Sequence, residues 1–353
     1  MSIVLFMAGL MALVAGAEGL VRGASRLSLS WGISPLVVGL TIVAFGTSAP
    51  EMAVCVGAAA SGTTDLAVGN AVGSNIFNVL FILGLSALIT PLAVHVQVIR
   101  QEVPIMLAAG LVLVVMALDS RISRPEAALL LALMLGYTVF LIVQARRAPP
   151  QEQSDFASEA PASPWDRHWS VQVLLVLAGL ALLMLGSRWL VEAATTFAAA
   201  LGVSELVIGL TLVAAGTSLP EVAASITASL RGQRDIAVGN VVGSNLFNIL
   251  GCLGLAGVVA PGGLPIAESV LHFDLWVMMA TLLACLPIFM TGREIARWEG
   301  GVLLAYYLAY VAYLILAAQH HAALAAYSAA MMSFVIPLTI VTLAVMVVRH
   351  HPH

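Results

Sequence analysis

Displaced by 170 positions, the sequence aligns with itself: Gly32–Leu80 lies on Gly202–Leu250 without a gap and with 29 identical residues. Two blocks dominate the match. GTSAPE at 46–51 recurs as GTSLPE at 216–221, and GNAVGSNIFN at 69–78 recurs as GNVVGSNLFN at 239–248. Self-similarity of this kind means two copies of one structural unit, so the chain must fold as a pair of related halves. Composition says in what medium. Of 353 residues 61% are hydrophobic and 9% charged, and the mean hydropathy is +1.04, whereas a soluble domain carries about 25% charged residues. The chain therefore belongs in lipid, and soluble enzymes, nucleic-acid binders and secreted disulfide scaffolds are excluded.

A helix needs about 20 apolar residues to cross roughly 30 Å of hydrocarbon. Apolar runs and their punctuation predict spans near 2–25, 33–61, 65–90, 99–118 and 125–145, and again near 170–197, 203–231, 235–261, 271–291 and 300–318. A further run at 322–348 predicts an eleventh. The expected architecture is all-α and membrane-embedded: a first five-helix half at 1–145, a polar linker at 146–169, a second half at 170–318, and an extra helix with its tail at 319–353. The segment Met1–Ala17 has no basic residue and is followed by Glu18, so it is expected to be the first span rather than a cleaved leader. Cys55, Cys252 and Cys285 all lie inside apolar runs and are expected to be core thiols, neither disulfide-bonded nor metal-bound.

Five spans separate equivalent points of the repeat. Because five is odd, the second copy must be inverted in the bilayer, an arrangement characteristic of secondary transporters with a site near the midplane. Orientation follows from arginine. With the N-terminus outside, Arg22, Arg26, Arg100, Arg146, Arg147, Arg167, Arg231, Arg234, Arg293, Arg297 and Arg349 fall at cytoplasmic ends, against Arg121, Arg124 and Arg188 on the other face. The positive-inside rule favours that assignment, with the linker and the C-terminus cytoplasmic.

The repeated blocks carry the chemistry. Gly46 and Pro50 sit midway along the second predicted span, and a proline lacks the N–H and crowds the carbonyl four residues back. The helix is expected to break there, and Gly216 and Pro220 repeat the break. Irregular backbone at membrane depth must be buried in protein or line a polar cavity. Thr47, Ser48 and Glu51 surround the first break, and Thr217, Ser218 and Glu221 the second. In the next span Asn70, Ser74 and Asn78 are four apart and share a helix face, as do Asn240, Ser244 and Asn248. One polar stripe is ordinary interhelical hydrogen bonding. Two stripes, two breaks and two intramembrane carboxylates related by inversion mark an ion or proton path. The donors are all oxygen with a nominal charge of −2. That suits Ca²⁺, which takes 6–8 oxygens at about 2.3–2.6 Å, and Na⁺, which uses the same donors; Mg²⁺ dehydrates too reluctantly. A soft transition metal fits poorly, since neither His nor Cys recurs with the blocks.

GTSAPE with GNAVGSNIFN, and GTSLPE with GNVVGSNLFN, resemble the paired α-repeats of the sodium/calcium exchanger family, over about residues 1–318. The resemblance implies a ten-helix core in which Glu51 and Glu221 bind Ca²⁺ and share in binding Na⁺, with the backbone carbonyls of Thr47 and Thr217. It implies further Na⁺ ligands at Ala44, Ser48 and Ser74 and, across the pseudo-twofold, at Ala214, Ser218 and Ser244, with Asn78 and Asn248 central. Some members carry Asp where this chain has Asn248, which the family associates with K⁺ dependence. Exchange without K⁺ is therefore expected. The linker is too short for a Ca²⁺-sensing domain.

The expected activity is Ca²⁺/Na⁺ antiport by alternating access, since a bare −2 charge reorients reluctantly through a low-dielectric interior. The long first and sixth spans would slide, with Gly19, Gly23 and Gly186 allowing close approach. The same two carboxylates could instead serve Ca²⁺/H⁺ antiport, although the Ser, Thr and Asn donors suit Na⁺. A channel needs a continuous pore, and an intramembrane enzyme lacks any repeated nucleophile–base pair. No cofactor, nucleic acid or obligate protein partner is expected; the partners are the bilayer of the inner membrane and the transported ions.

Overall fold

The computed structural model describes residues 2–147, 168–200 and 214–349. They form α1 (Ser2–Trp31), α2 (Pro35–Thr47), α3 (Ala49–Ser61), α4 (Thr64–Ile89), α5 (Val98–Ala117), α6 (Arg124–Arg147), α7 (Trp169–Ala200), α8 (Leu219–Leu230), α9 (Arg234–Val259), α10 (Val270–Met290), α11 (Arg297–Ala318) and α12 (Leu324–Met346). Among the described residues nine helices are long and apolar enough to cross a membrane, and the bent pair α2/α3 makes a tenth. Most of the predicted linker and the first part of the 203–231 span lie outside the described residues. A short turn, Ala214–Gly216, leads into α8.

Helices α1 and α7 are longer than the predicted spans, at 30 and 32 residues. At 1.5 Å per residue they reach about 45 Å, more than the hydrocarbon is thick, so they cross obliquely or project from it. They pack along one seam. Gly9 meets Gly186, Gly16 meets Gly179, and Gly23 meets Gln172, where an added Cβ would stand 2.9, 2.8 and 2.8 Å from a carbonyl oxygen of the other helix. Backbones this close admit only glycine. Gly19 is in ordinary contact at 3.5 Å, so the seam runs through Gly9, Gly16 and Gly23 at a spacing of seven.

Two small ladders fix the relation of the halves. The strands are β1 (Leu92–Ala93), β2 (Arg121–Ile122), β3 (Leu264–Pro265) and β4 (Glu294–Ile295). In the repeat, β1 corresponds to β3 and β2 to β4, yet the antiparallel pairs are β1 with β4 and β2 with β3. With the predicted 203–231 span counted as one crossing, an even number of crossings separates the members of each observed pair, and five separate β1 from β3. Each ladder therefore ties one half to the other, and the crossed pairing is what inversion requires. Arg121 and Arg124 reinforce one ladder by donating to Gly262 O and Ala260 O, and Arg297 donates to Ile89 O near the other.

The core is built on α4 and α9, whose most apolar windows are 72% and 89% buried. Both contain a π-helical turn, Asn78–Leu83 in α4 and Phe247–Cys252 in α9. Such turns shift the helical register and often mark functional sites. The α2/α3 axis bends by 45°.

Candidate functional site

The predicted breaks resolve to single residues. Ser48 has φ −81° and ψ 6°, Ser218 has φ −88° and ψ 6°, and each is followed by a helix with proline in its first turn. The breaks thus fall between the glycine and the proline of each block. Proline leaves the carbonyl four residues back without its helical donor, and for Pro220 that is Gly216 O. Ser187 Oγ of α7 donates to it at 2.5 Å. Gly46 and Gly216 also pack on α7, against Leu180 and Val191.

Restarting the helices at Ala49 and Leu219 turns the two carboxylates inward. Glu51, Glu221, Ser48 and Ser218 are all at most 1% exposed. The hydroxyls do not serve the acid of their own block. Ser48 Oγ donates to Glu221 Oε1 at 2.9 Å, and Ser218 Oγ donates to Glu51 Oε1 at 2.7 Å. The threonines cross in the same way: Thr47 Oγ1 donates to Asn240 Oδ1 at 3.1 Å, and Thr217 Oγ1 to Asn70 Oδ1 at 3.5 Å. Ser218 Oγ also reaches Ser74 Oγ at 3.4 Å. Asn78, Ser244 and Asn248 are buried on α4 and α9, Ala44 is buried on α2, and Ala214 opens the turn before α8. The fold brings polar residues of both blocks into one hydrogen-bonded cluster between the halves, buried except at the half-buried Asn70 and Thr217.

Its oxygens are incompletely satisfied. Glu51 Oε2, Glu221 Oε2, Asn78 Oδ1 and Ser244 Oγ are buried with no hydrogen-bond partner. Burying such groups unpaired is costly, most of all for carboxylates. A desolvated hard cation is what would offset that cost, and the donor set is the oxygen-only one that such ions take.

Sequence reasoning passed over several supports. Asn245 Oδ1 accepts from Asn78 Nδ2 at 3.1 Å, whereas the equivalent Asn75 donates within its own helix to Ala71 O at 2.8 Å. Both asparagines stand in the repeated blocks, so the signal was present. Ser187 carries no such signal. Outside the cluster, Tyr137 Oη donates to Glu102 Oε2 at 2.6 Å and Tyr310 Oη to Asp274 Oδ1 at 2.7 Å. These acid–tyrosine pairs are also repeat-related, but at offsets of 172 and 173, beyond the gap-free stretch.

The model of the family described as sodium/calcium exchanger protein matches residues 1–143 and 171–316. This chain belongs to the sodium/calcium exchanger family. Among its relatives, CaxA of Alkalimonas amylolytica is 42% identical over 305 residues, covering 86% of this chain and 95% of that one. The sodium/calcium exchanger MaX1 of Methanosarcina acetivorans is 33% identical over 335 residues, with 86% and 95% covered. A solved structure of the sodium-calcium exchanger NCX_Mj, soaked with Na⁺ and Sr²⁺, superimposes with a TM-score of 0.75 at 30% identity, covering 88% of this chain and 97% of that one. The fold is that of the exchangers, and the chain is a multi-pass membrane protein of a transporter family whose members exchange cations including Ca²⁺.

Proposed function

We propose that this protein exchanges Ca²⁺ for Na⁺ across the cytoplasmic membrane by alternating access, without K⁺. The observation that carries the reading is the crossed serine–glutamate pairing, which leaves one oxygen of each carboxylate buried and unpartnered. In this reading Glu51 and Glu221, with the backbone carbonyls of Thr47 and Thr217, hold Ca²⁺. Na⁺ uses Ala44, Ser48, Glu51, Ser74 and Asn78 from one half, and Ala214, Thr217, Ser218, Glu221, Ser244 and Asn248 from the other. Asn248 in place of a carboxylate keeps the nominal charge at −2, which one Ca²⁺ neutralises. The names of MaX1 and NCX_Mj as sodium/calcium exchangers support the choice of ions.

The exchange unit comprises 1–145 and 170–318, joined by the cytoplasmic linker 146–169, with the N-terminus outside. The glycine seam packs α1 and α7 backbone to backbone, so the two helices move as one unit. Because α7 also touches both break glycines, its movement is coupled to the cluster. An empty site of charge −2 reorients slowly in a medium of low dielectric, and a filled one does not. The test is Ca²⁺ uptake into proteoliposomes loaded with Na⁺. Uptake that requires internal Na⁺ and ignores K⁺ is expected. Uptake driven equally well by a pH gradient without Na⁺ would replace Na⁺ by H⁺ as the counter-ion.

A further inference from the structure

The stripe residues Asn70 and Asn240 are each held from two sides. Asn240 accepts from Thr47 Oγ1 at 3.1 Å and donates through Nδ2 to Ser225 Oγ at 2.9 Å. Asn70 accepts from Thr217 Oγ1 at 3.5 Å and donates through Nδ2 to Cys55 Sγ at 3.5 Å. Positions 55 and 225 are equivalent under the 170-residue displacement, each one helical turn after the glutamate of its block. The result is two relays across the repeat interface, Ser225–Asn240–Thr47 and Cys55–Asn70–Thr217. All the relay residues on the serine side are buried.

The anchoring atoms differ in type, sulfur at Cys55 and oxygen at Ser225, and Asn240 Nδ2 also reaches Glu221 O at 3.5 Å. A thiol sulfur is a weak acceptor, whereas a hydroxyl oxygen is a full one. Cys55 Sγ also donates to Ala67 O at 3.4 Å, so it is tied to the neighbouring α4 backbone as well. An amide anchored by a hydroxyl holds its carbonyl oxygen toward the threonine more firmly than one anchored by a thiol. The two threonines immediately precede the break serines, so their placement sets the backbone carbonyls at the site. The geometry points to Cys55 and Ser225 as positioning residues that act through Asn70 and Asn240 on Thr217 and Thr47, with the sulfur-for-oxygen difference making the two halves of the ion site unequal in affinity. This rests on the reading of Thr47 and Thr217 as ion ligands.

The test exchanges the anchors. Cys55→Ser should lower the apparent KM for Ca²⁺ by roughly threefold to fivefold, the effect of strengthening one neutral hydrogen bond. Ser225→Cys should raise it by a similar factor, and the double exchange should return it to within about twofold of the parent. Turnover at saturating Ca²⁺ and thermal stability should change little. A structural role alone would move stability and turnover together and leave KM unchanged, and that result overturns the inference. Ca²⁺ binding to purified monodisperse protein, measured by calorimetry, gives the same comparison where transport is too slow to read. If Glu51→Gln and Glu221→Gln abolish Ca²⁺ binding while both anchor variants bind as the parent does, the relay inference fails and the site reading stands. If the glutamine variants bind Ca²⁺ normally, the site reading itself fails.

Discussion

Helices α9 and α12 are both long and apolar enough to span a membrane, yet 89% of the most apolar window of α9 is buried and none of that of α12. The buried one is the more polar. It carries Asn240, Ser244, Asn245 and Asn248, all at most 1% exposed, while α12 presents leucine, valine, isoleucine and methionine outward. In water the polar helix would lie outside. Hydrocarbon offers amides and hydroxyls no partner, so they gather in the protein interior, and apolar side chains face lipid at little cost. Among the described residues, helix α12 is attached by few polar contacts: Tyr306 Oη with Thr339 Oγ1 at 2.5 Å and Val335 O at 3.4 Å, and Tyr327 Oη to Ala309 O at 2.8 Å. The comparison separates a core assembled by polar pairing from a helix added at its edge.

The contrast is tested hardest at its centre. Glu51→Gln or Glu221→Gln keeps the size of the side chain but removes a charge and a strong ligand, and Ca²⁺ uptake in proteoliposomes should fall by about 100-fold or more, the scale of about 3 kcal/mol for a charged contact. Robust uptake by either variant would remove that residue from the site.

Acidification probes the same carboxylates without mutation. Protonation removes the negative charge that a dication needs, so the apparent KM for Ca²⁺ should rise as pH falls, by up to about tenfold per unit for one titrating carboxylate. The rise should reverse at higher pH. A KM independent of pH down to the range of free carboxyl groups would break the link between charge and binding.

Removing one crossed hydroxyl should cost less. Ser48→Ala or Ser218→Ala deletes a hydrogen bond to a carboxylate, worth about 1.5 kcal/mol, and should weaken Ca²⁺ binding roughly tenfold. The double variant tests the crossing, since Ser48 acts on Glu221 and Ser218 on Glu51. Ca²⁺ titration of all three variants should give a double loss that departs from the sum of the single losses, because both hydroxyls serve one ion site.

The smallest effect is expected at the edge. Truncation after Ala318 should lower yield by exposing α10 and α11, while exchange per monodisperse molecule stays within about threefold of the full chain, because α12 contributes no ligand to the cluster. A truncated protein that folds and binds Ca²⁺ but does not exchange it would place α12 in the moving machinery.

Much of this was legible in the residues. The 170-residue repeat, the two breaks and the two carboxylates are local or periodic signals, and local signals survive without coordinates. The breaks were expected at Gly46 and Pro50, and they fall at Ser48 between them, because the proline forbids a hydrogen bond four residues back while the glycine lets α7 approach. The acid–tyrosine pairs Glu102–Tyr137 and Asp274–Tyr310 were passed over because the loop before α10 is two residues longer than that before α5, and α10 itself is one residue longer than α5, which shifts the repeat offset. The seam through Gly9, Gly16, Gly179 and Gly186 was read only in part. Which glycines touch depends on how two antiparallel helices are registered, and no single helix contains that information.

The sequence by itself determined the medium, the number of halves and their inversion. Those depend on length, apolar content and the parity of spans, and each is a property of the chain read along its length. Tertiary structure decided who serves whom. Ser48 lies three residues before Glu51 yet bonds Glu221, and Ser218 bonds Glu51, because the inverted halves meet at their breaks and each break turns its hydroxyl across the interface. Pairing between residues 173 and 167 positions apart is set by the packing of α3 against α9 and of α8 against α4, which only the folded chain supplies.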